Sequence, residues 1–287
     1  MSTKLATFFG KFERYTVDFH AMKCYTVEPC SGVSSLQNKG RDVLTLLGEF
    51  CTNNHPMGIT ELSNILLEGK SSVFQKIKAL EEMDFIEQEE HTKKYVLTTK
   101  LLELANASLR GYYERTNIHR YLKLIAEKTG ECTYFGLRNK KNLVVYVDRY
   151  ASENTMTVYT NIGDVPLPHC TAHGKALLAF LTLEQIEELV KEGLPRFTEH
   201  TIVDKQKLFE ELRKIRENGY AFDLEERVLG VRCVAAPVFS SRNEAIGAIG
   251  ISGMIQNMTP ERMEAHAQVI KSVAEKVSIN VGNDLLF

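Results

Sequence analysis

Residues 53–99, NNHPMGITELSNILLEGKSSVFQKIKALEEMDFIEQEEHTKKYVLTT, change hydrophobic period twice. NNHPMG is composed like a turn. In ELSNILLE, residues 61–68, Leu62, Ile65 and Leu66 share a helical face, and Thr60 is available to cap it. Gly69 ends that helix, and Ser71 or Ser72 can cap the next, SSVFQKIKALEEM. There Val73, Ile77 and Leu80 stand at i, i+4 and i+7, one buried stripe of an amphipathic helix. DFIEQEE and KKYVLTT then read as short extended segments around a turn at His91–Lys93. Upstream, SLQNKGRDVLTLLGEFC places Leu36, Val43, Leu44, Leu47 and Phe50 near helical spacing. Helix, short helix, tight turn, helix, hairpin is the order of a winged helix-turn-helix, expected over residues 34–98.

That order assigns candidate contacts with double-stranded DNA. Ser71, Ser72, Gln75, Lys76 and Lys78 lie off the buried stripe of the third helix. Ser and Gln can bond base edges or phosphates, and Lys neutralises phosphate. Lys93 and Lys94 at the hairpin tip suit a wing on the DNA backbone. The electrostatics are modest: residues 34–112 hold nine Lys or Arg against eleven Asp or Glu, a net of −2. A strong non-specific binder carries more cation. The acidic run Glu81, Glu82, Asp84, Glu87, Glu89 and Glu90 must face away from DNA, and a module serving only protein interaction stays open.

Working outward, the 287-residue chain is 44% hydrophobic with net charge −2, a folded composition with room for one large or two ordinary domains. It has no apolar run long enough to span a membrane and no secretory apolar core near its start, and its six scattered cysteines suit a reducing compartment, so a cytoplasmic location is expected. Residues 1–33 read as an extension. TKLLELANASLRGYYERTNIHRYLKLIAEKTGE reads as nearly continuous helix weakened at Gly111, with residues 99–115 as linker. Residues 116–283 follow as a second domain. CTYFGLR, NLVVYVDRY, TMTVYTNIG, RCVAAPVFSS and AIGAIGISGM read as strands, with SSRNE as a hairpin turn. ALLAFLTLEQIEELVKEG, VDKQKLFEELRKIRENG and TPERMEAHAQVIKSVAEKVSIN read as helices. Without a strict βαβ rhythm, the expectation is an α+β domain on an antiparallel sheet.

HCTAHGKALLAF, residues 169–180, looks chemical. Its Gly174-Lys175 is not a phosphate loop, because Ala176 follows and no glycine stands at the required upstream spacing. Cys170 with a neighbouring histidine could be a nucleophile, and His169, Cys170, His173 and Cys233 are zinc-ligand types, which leaves an enzyme or metal centre around Cys170, His173 and Cys233 as the rival reading. The favoured reading is a pocket wall. Thr171, Ala172, Gly174 and Ala176 let backbone approach a ligand, and a second small-residue set (Cys233, Ala235, Ala236, Gly250, Ser252 and Gly253) recurs on strands.

Three motifs in order, GDVPLPHCTAHGKALLA (163–179), ENGYAFDLEERVLGVRCVAAPVF (217–239) and AIGAIGISG (245–253), resemble the IclR family of transcriptional regulators, with TGECTYFGL and TIVDKQKLFEELRKIRENGYA fitting between and around them. The resemblance spans about Ser34–Gly282. It implies a winged helix, a linker helix and a GAF-like effector domain with a curved antiparallel sheet, in a regulator that is not an enzyme and needs no cofactor. It also implies homodimers or tetramers on palindromic operator DNA, and a small effector such as a carboxylate or aromatic acid. Family effector positions fall on Ala172, His173, Asp223, Cys233, Gly250 and Ser252, beside Gly174. His173 departs from a usual small residue, Gly250 from a frequent serine, and Gln75 from a frequent arginine of the recognition helix, which shifts weight for phosphate contact to Lys76.

Overall fold

The computed structural model describes residues 35–53, 55–152 and 160–281. The extension over 1–33 and most of TMTVYTNIG lie outside them. The chain divides into two compact units within the helix that follows the hairpin, between Asn106 and Ala107.

The first unit contains α1 (Ser35–Asn53), α2 (Ile59–Leu66), α3 (Lys70–Glu82), and the antiparallel pair β1 (Ile86–Gln88) and β2 (Tyr95–Leu97). Leu46, Leu47, Phe50, Met57, Leu62, Val73, Ile77, Leu80, Ile86 and Tyr95 form its core. The α3 stripe is as the period predicts. On α1 the buried face includes Leu46, while Leu44 is 67% exposed, so the expected stripe is turned by a fraction of a turn. The caps also differ. Gly58 and Gly69, rather than Thr60 and a serine, hold the N-cap positions of α2 and α3. Leu67 ends α2 in the left-handed region at φ 54°, before Gly69 is reached. NNHPMG is more than a turn, since Met57 exchanges both backbone hydrogen bonds with Tyr95, at 3.0 and 2.9 Å.

The helix α4 (Lys100–Thr116) is followed by α5 (Ile118–Thr129). The break falls at Asn117, φ 48°, and not at Gly111. Gly inside a helix costs only about 1 kcal/mol, whereas a left-handed residue stops it, and Asn tolerates that region.

The second unit is α+β. Its sheet has the order β4-β3-β7-β6-β5, with β3 (Cys132–Arg138), β4 (Val144–Tyr150), β5 (Ala221–Leu224), β6 (Val231–Phe239) and β7 (Ala245–Met254) antiparallel throughout. The short β5 is hidden in the sequence by the charged loop after it. On one face Phe135, Val234, Ala236, Ile249 and Ile251 pack with α5 and α9 (Pro260–Val281). On the other, Ala221, Ala235 and Ala248 pack against α6 (Ala172–Leu178), α7 (Leu183–Val190) and α8 (Lys205–Asn218). The sequence ALLAFLTLEQIEELVKEG, read as one helix, is two, because Thr182 caps α7 with a reciprocal bond to Gln185. No helix of the described residues is long and apolar enough to cross a membrane.

Candidate functional site

In the first unit α3 presents two unlike flanks around its buried stripe. Lys70, Ser71, Phe74, Gln75 and Lys78 are exposed. Lys76 lies on the opposite flank from Phe74, its side chain only 11% exposed, tied to Glu68 and 4.0 Å from Asp42. Ser72 donates to the same Glu68 carboxylate at 2.8 Å. That carboxyl is held below its usual range first by the Lys76 hydrogen bond. Lys78 is ion-paired to Glu81 and sits 5.8 Å from the Phe74 ring centroid. In the hairpin, Lys93 is exposed at φ 58°, and Lys94 lies 3.8 Å from Glu61. The predicted set therefore divides: Ser71, Gln75, Lys78 and Lys93 face outward, while Ser72 and Lys76 are held by Glu68. Lys70 and Phe74, which the residue-type reading passed over, complete the outward face; helical spacing from Val73 and Ile77 could have found both.

In the second unit, sheet register assembles the other set. Asp223, Cys233, Ser252 and Cys132 are successive cross-strand partners over β5, β6, β7 and β3. One row along, Ala221, Ala235, Gly250 and Tyr134 are partners in the same way. The Cys233 thiol donates to Ser252 Oγ at 3.3 Å, and Asp223 accepts the Glu226 backbone N–H at 2.8 Å. Burial pushes the Asp223 carboxyl up to about 7, with the Glu226 charge adding to it and Lys175 opposing. Near neutral pH this carboxyl is thus partly protonated and can donate a hydrogen bond.

The helix α6 lies over these rows with every residue buried. Thr171, its N-cap, accepts from Gly174 N at 3.1 Å. His173 Nε2 donates to the Tyr134 carbonyl at 3.2 Å, because a carbonyl can only accept. Its ring meets Tyr146 edge-on at 5.1 Å, and Tyr146 meets Tyr134 at 5.8 Å. Burial lowers His173 to about 4, so the imidazole is neutral at physiological pH. Ala172 packs with the small residues of the sheet face. A Cβ on Gly174 would lie 2.4 Å from Pro168, so this glycine serves a close backbone approach. Gly250 is equally closed: a Cβ there would lie 2.2 Å from the Val234 carbonyl oxygen. The frequent serine would need β6 to shift.

The lysine of the Gly-Lys pair has a different use from any weighed in the sequence. Lys175 is 1% exposed, ion-paired with Glu226 and 3.6 Å from Glu211. No local pattern signals a partner 51 residues away. The rival chemistry meets poor geometry. The Cys170 thiol is fully buried, pushed up to about 12 by burial, and directed at the Leu167 carbonyl at 3.5 Å. A nucleophilic cysteine needs the opposite environment. Among the described residues, no group of three or more His, Cys, Asp or Glu is arranged to hold a metal.

The family described as bacterial transcriptional regulator IclR, C-terminal, matches residues 111–279. The chain belongs to the IclR family. The transcriptional regulator KdgR of Escherichia coli is 30% identical over 242 residues, 84% of this chain and 90% of that protein. The IclR structure from Thermotoga maritima superposes with TM-score 0.62 at 28% identity, covering 86% of this chain and 99% of that one. An IclR homologue from Microbacterium hydrocarbonoxydans, complexed with 4-hydroxybenzoate, shares the fold at TM-score 0.69 and 17% identity over 85% and 98% of the two chains. As an IclR-family member the protein is a ligand-responsive, DNA-binding transcriptional regulator and not an enzyme.

Proposed function

We propose that residues 34–98 form a winged helix-turn-helix that places α3 in the major groove of a double-stranded operator, with the β1–β2 wing on the flanking backbone. Residues 99–115 serve as linker, and residues 116–283 as a GAF-like effector domain. The observation that carries the DNA reading is the outward face of α3, where Ser71, Gln75 and Lys78 stand together with Lys70, clear of the core. Exposed Lys93 suits a phosphate contact from the wing, with Lys94 beside it. The net charge of −2 over residues 34–112 argues against strong non-specific binding and leaves affinity to the local contacts of α3 and the wing. The acting unit is a homodimer, or a tetramer built as a dimer of dimers, on a palindromic site of a catabolic or metabolic operon.

The effector is a small organic acid, aliphatic or aromatic. It is held between α6 (Ala172, His173) and the Asp223–Cys233–Ser252 row, with Gly174 and Gly250 shaping the backbone around it. A partly protonated Asp223 and the Ser252 hydroxyl supply donors to a carboxylate. Displacement of α6 on binding is relayed to the helices over 99–128 and changes the separation of the two winged helices, to which half-site spacing is sensitive.

Filter binding of genomic fragments at stated salt tests this reading. Fragments retained above non-specific background, with retention altered by one of a panel of organic acids, are expected. No retained fragment at low salt, with or without the acids, overturns it.

A further inference from the structure

Phe74 is the largest side chain on the outward face of α3, 44% exposed and absent from the core of its unit. Burial of Val73, Ile77 and Leu80 fixes the helix rotation. At about 100° per residue, Phe74 then stands within the same outward arc as Ser71, Gln75 and Lys78. It lines one wall of an open groove of ≈ 530 Å³ together with Ile59, Thr60, Lys70, Ser71 and Gln75. The ring and the half-buried Ile59 are the apolar part of this groove, and Thr60, Lys70, Ser71 and Gln75 set donors and a cation around them. A protein partner docking by hydrophobic contact would find one exposed ring and the edge of Ile59, ringed by polar side chains. A major groove offers what the arc complements: phosphates for Lys70 and Lys78, base edges for Gln75 and Ser71, and an apolar C5 methyl on each thymine.

Resting on the DNA-binding reading above, we infer that Phe74 is a specificity-determining residue that packs on a thymine methyl in each operator half-site, while Gln75 reads an adenine on the same or the adjacent base pair. Gln pairs with adenine N6 and N7 in bidentate fashion, so the two side chains together select an A·T step. This also gives a chemical sense to Gln75 standing where arginine, a guanine reader, is frequent.

The experiment begins by selecting bound duplexes from a random pool with the full chain. Each thymine of the selected site is then replaced in turn by deoxyuridine, which removes only the methyl. For the native protein, one thymine per half-site should weaken binding about fourfold on losing its methyl, the burial of one methyl-sized group. Phe74→Ala should bind with that position insensitive and the others unchanged. Phe74→Leu, which keeps apolar bulk, should retain part of the sensitivity. A pool that never enriches overturns this inference and the DNA reading together. Enrichment with no methyl-sensitive thymine, with sensitivity undiminished in Phe74→Ala, or with Phe74→Ala altering oligomeric state instead of base preference, overturns this inference alone. The deoxyuridine scan on the native protein decides the point even if a variant folds poorly.

Discussion

The helices α3 and α6 carry the candidate contacts of the two units, and they are built in opposite ways. In α3 only Val73, Ile77 and Leu80 are buried; Lys70, Ser71, Gln75 and Lys78 project outward, while Ser72 and Lys76 are drawn to Glu68 on the other flank. In α6 all seven residues are buried, including His173 and Lys175. A helix with a wet face can change its outward side chains freely, because each is solvated with or without a partner. A helix with no wet face must satisfy each polar atom inside the protein, so every substitution is felt by the fold. The first arrangement suits a surface that reads a partner. The second suits a wall whose position is the signal.

The contrast is broken most directly at the lysines. Lys175→Ala removes one member of a buried ion pair and leaves Glu226 and Glu211 uncompensated, so a loss of about 3–5 kcal/mol is expected. Denaturant unfolding followed by a probe in the second unit checks it; the double change Lys175→Met, Glu226→Gln should recover much of the loss. A loss below about 1 kcal/mol would show that water reaches the pair.

Asp223 gives the next largest effect, and its sign follows from burial. A carboxyl near 3.8 when unfolded and about 7 when folded keeps its proton longer in the folded state. Stability associated with it is therefore full below about pH 4, falls as the pH rises to about 7, and changes no further above that. At most about 4 kcal/mol is involved, since each pH unit separating the folded and unfolded values is worth about 1.4 kcal/mol. Asp223→Asn, which can still accept from Glu226 N–H, should gain in melting temperature over the native protein as pH rises across that window. A constant difference between the two proteins at pH 4 and pH 8 would contradict it.

The same contrast explains what the sequence disclosed. The helix-hairpin order of the first unit was legible because Val73, Ile77 and Leu80 repeat against polar neighbours, and a one-sided helix writes its period into the chain. The strands β3, β4, β6 and β7 were legible as apolar runs, and the antiparallel sheet followed from their rhythm. The helix α6 has no such period, so its boundary with α7 was missed and Lys175 was weighed only as part of a phosphate loop. The left-handed residues that end helices, Leu67 and Asn117, were passed over in favour of the nearest glycines, because φ depends on packing that local composition does not encode. The Asp223–Cys233–Ser252–Cys132 row is a fact of register between distant strands; the resemblance to a family located three of its members, and sheet pairing added Cys132.

Gly250 sharpens the comparison at a smaller scale. Restoring the serine frequent in the family should be unfavourable here, by about 1–3 kcal/mol, since its Cβ meets the Val234 carbonyl and Ala235 before any hydroxyl can bond. Thermal unfolding measures this. A neutral or stabilised Gly250→Ser protein would mean that β6 and β7 separate easily, and the wall would be softer than the register suggests.

The smallest effects on stability belong to α3 and the wing, where the effects on binding are large by contrast. Gln75→Ala and Lys93→Ala should each change stability by no more than about 0.5 kcal/mol, since neither side chain is part of the core. On a selected operator they should then part company. Loss of Gln75 should relax discrimination at one base pair by about 1–3 kcal/mol, whereas loss of Lys93 should weaken all sequences alike and reduce the salt slope by about 1. The slope is the sharper readout, because a phosphate contact releases counterions and a base contact does not. If Lys93→Ala left the slope unchanged while Gln75→Ala weakened all sequences alike, the wing would not be neutralising phosphate and Gln75 would be gripping backbone and not reading a base.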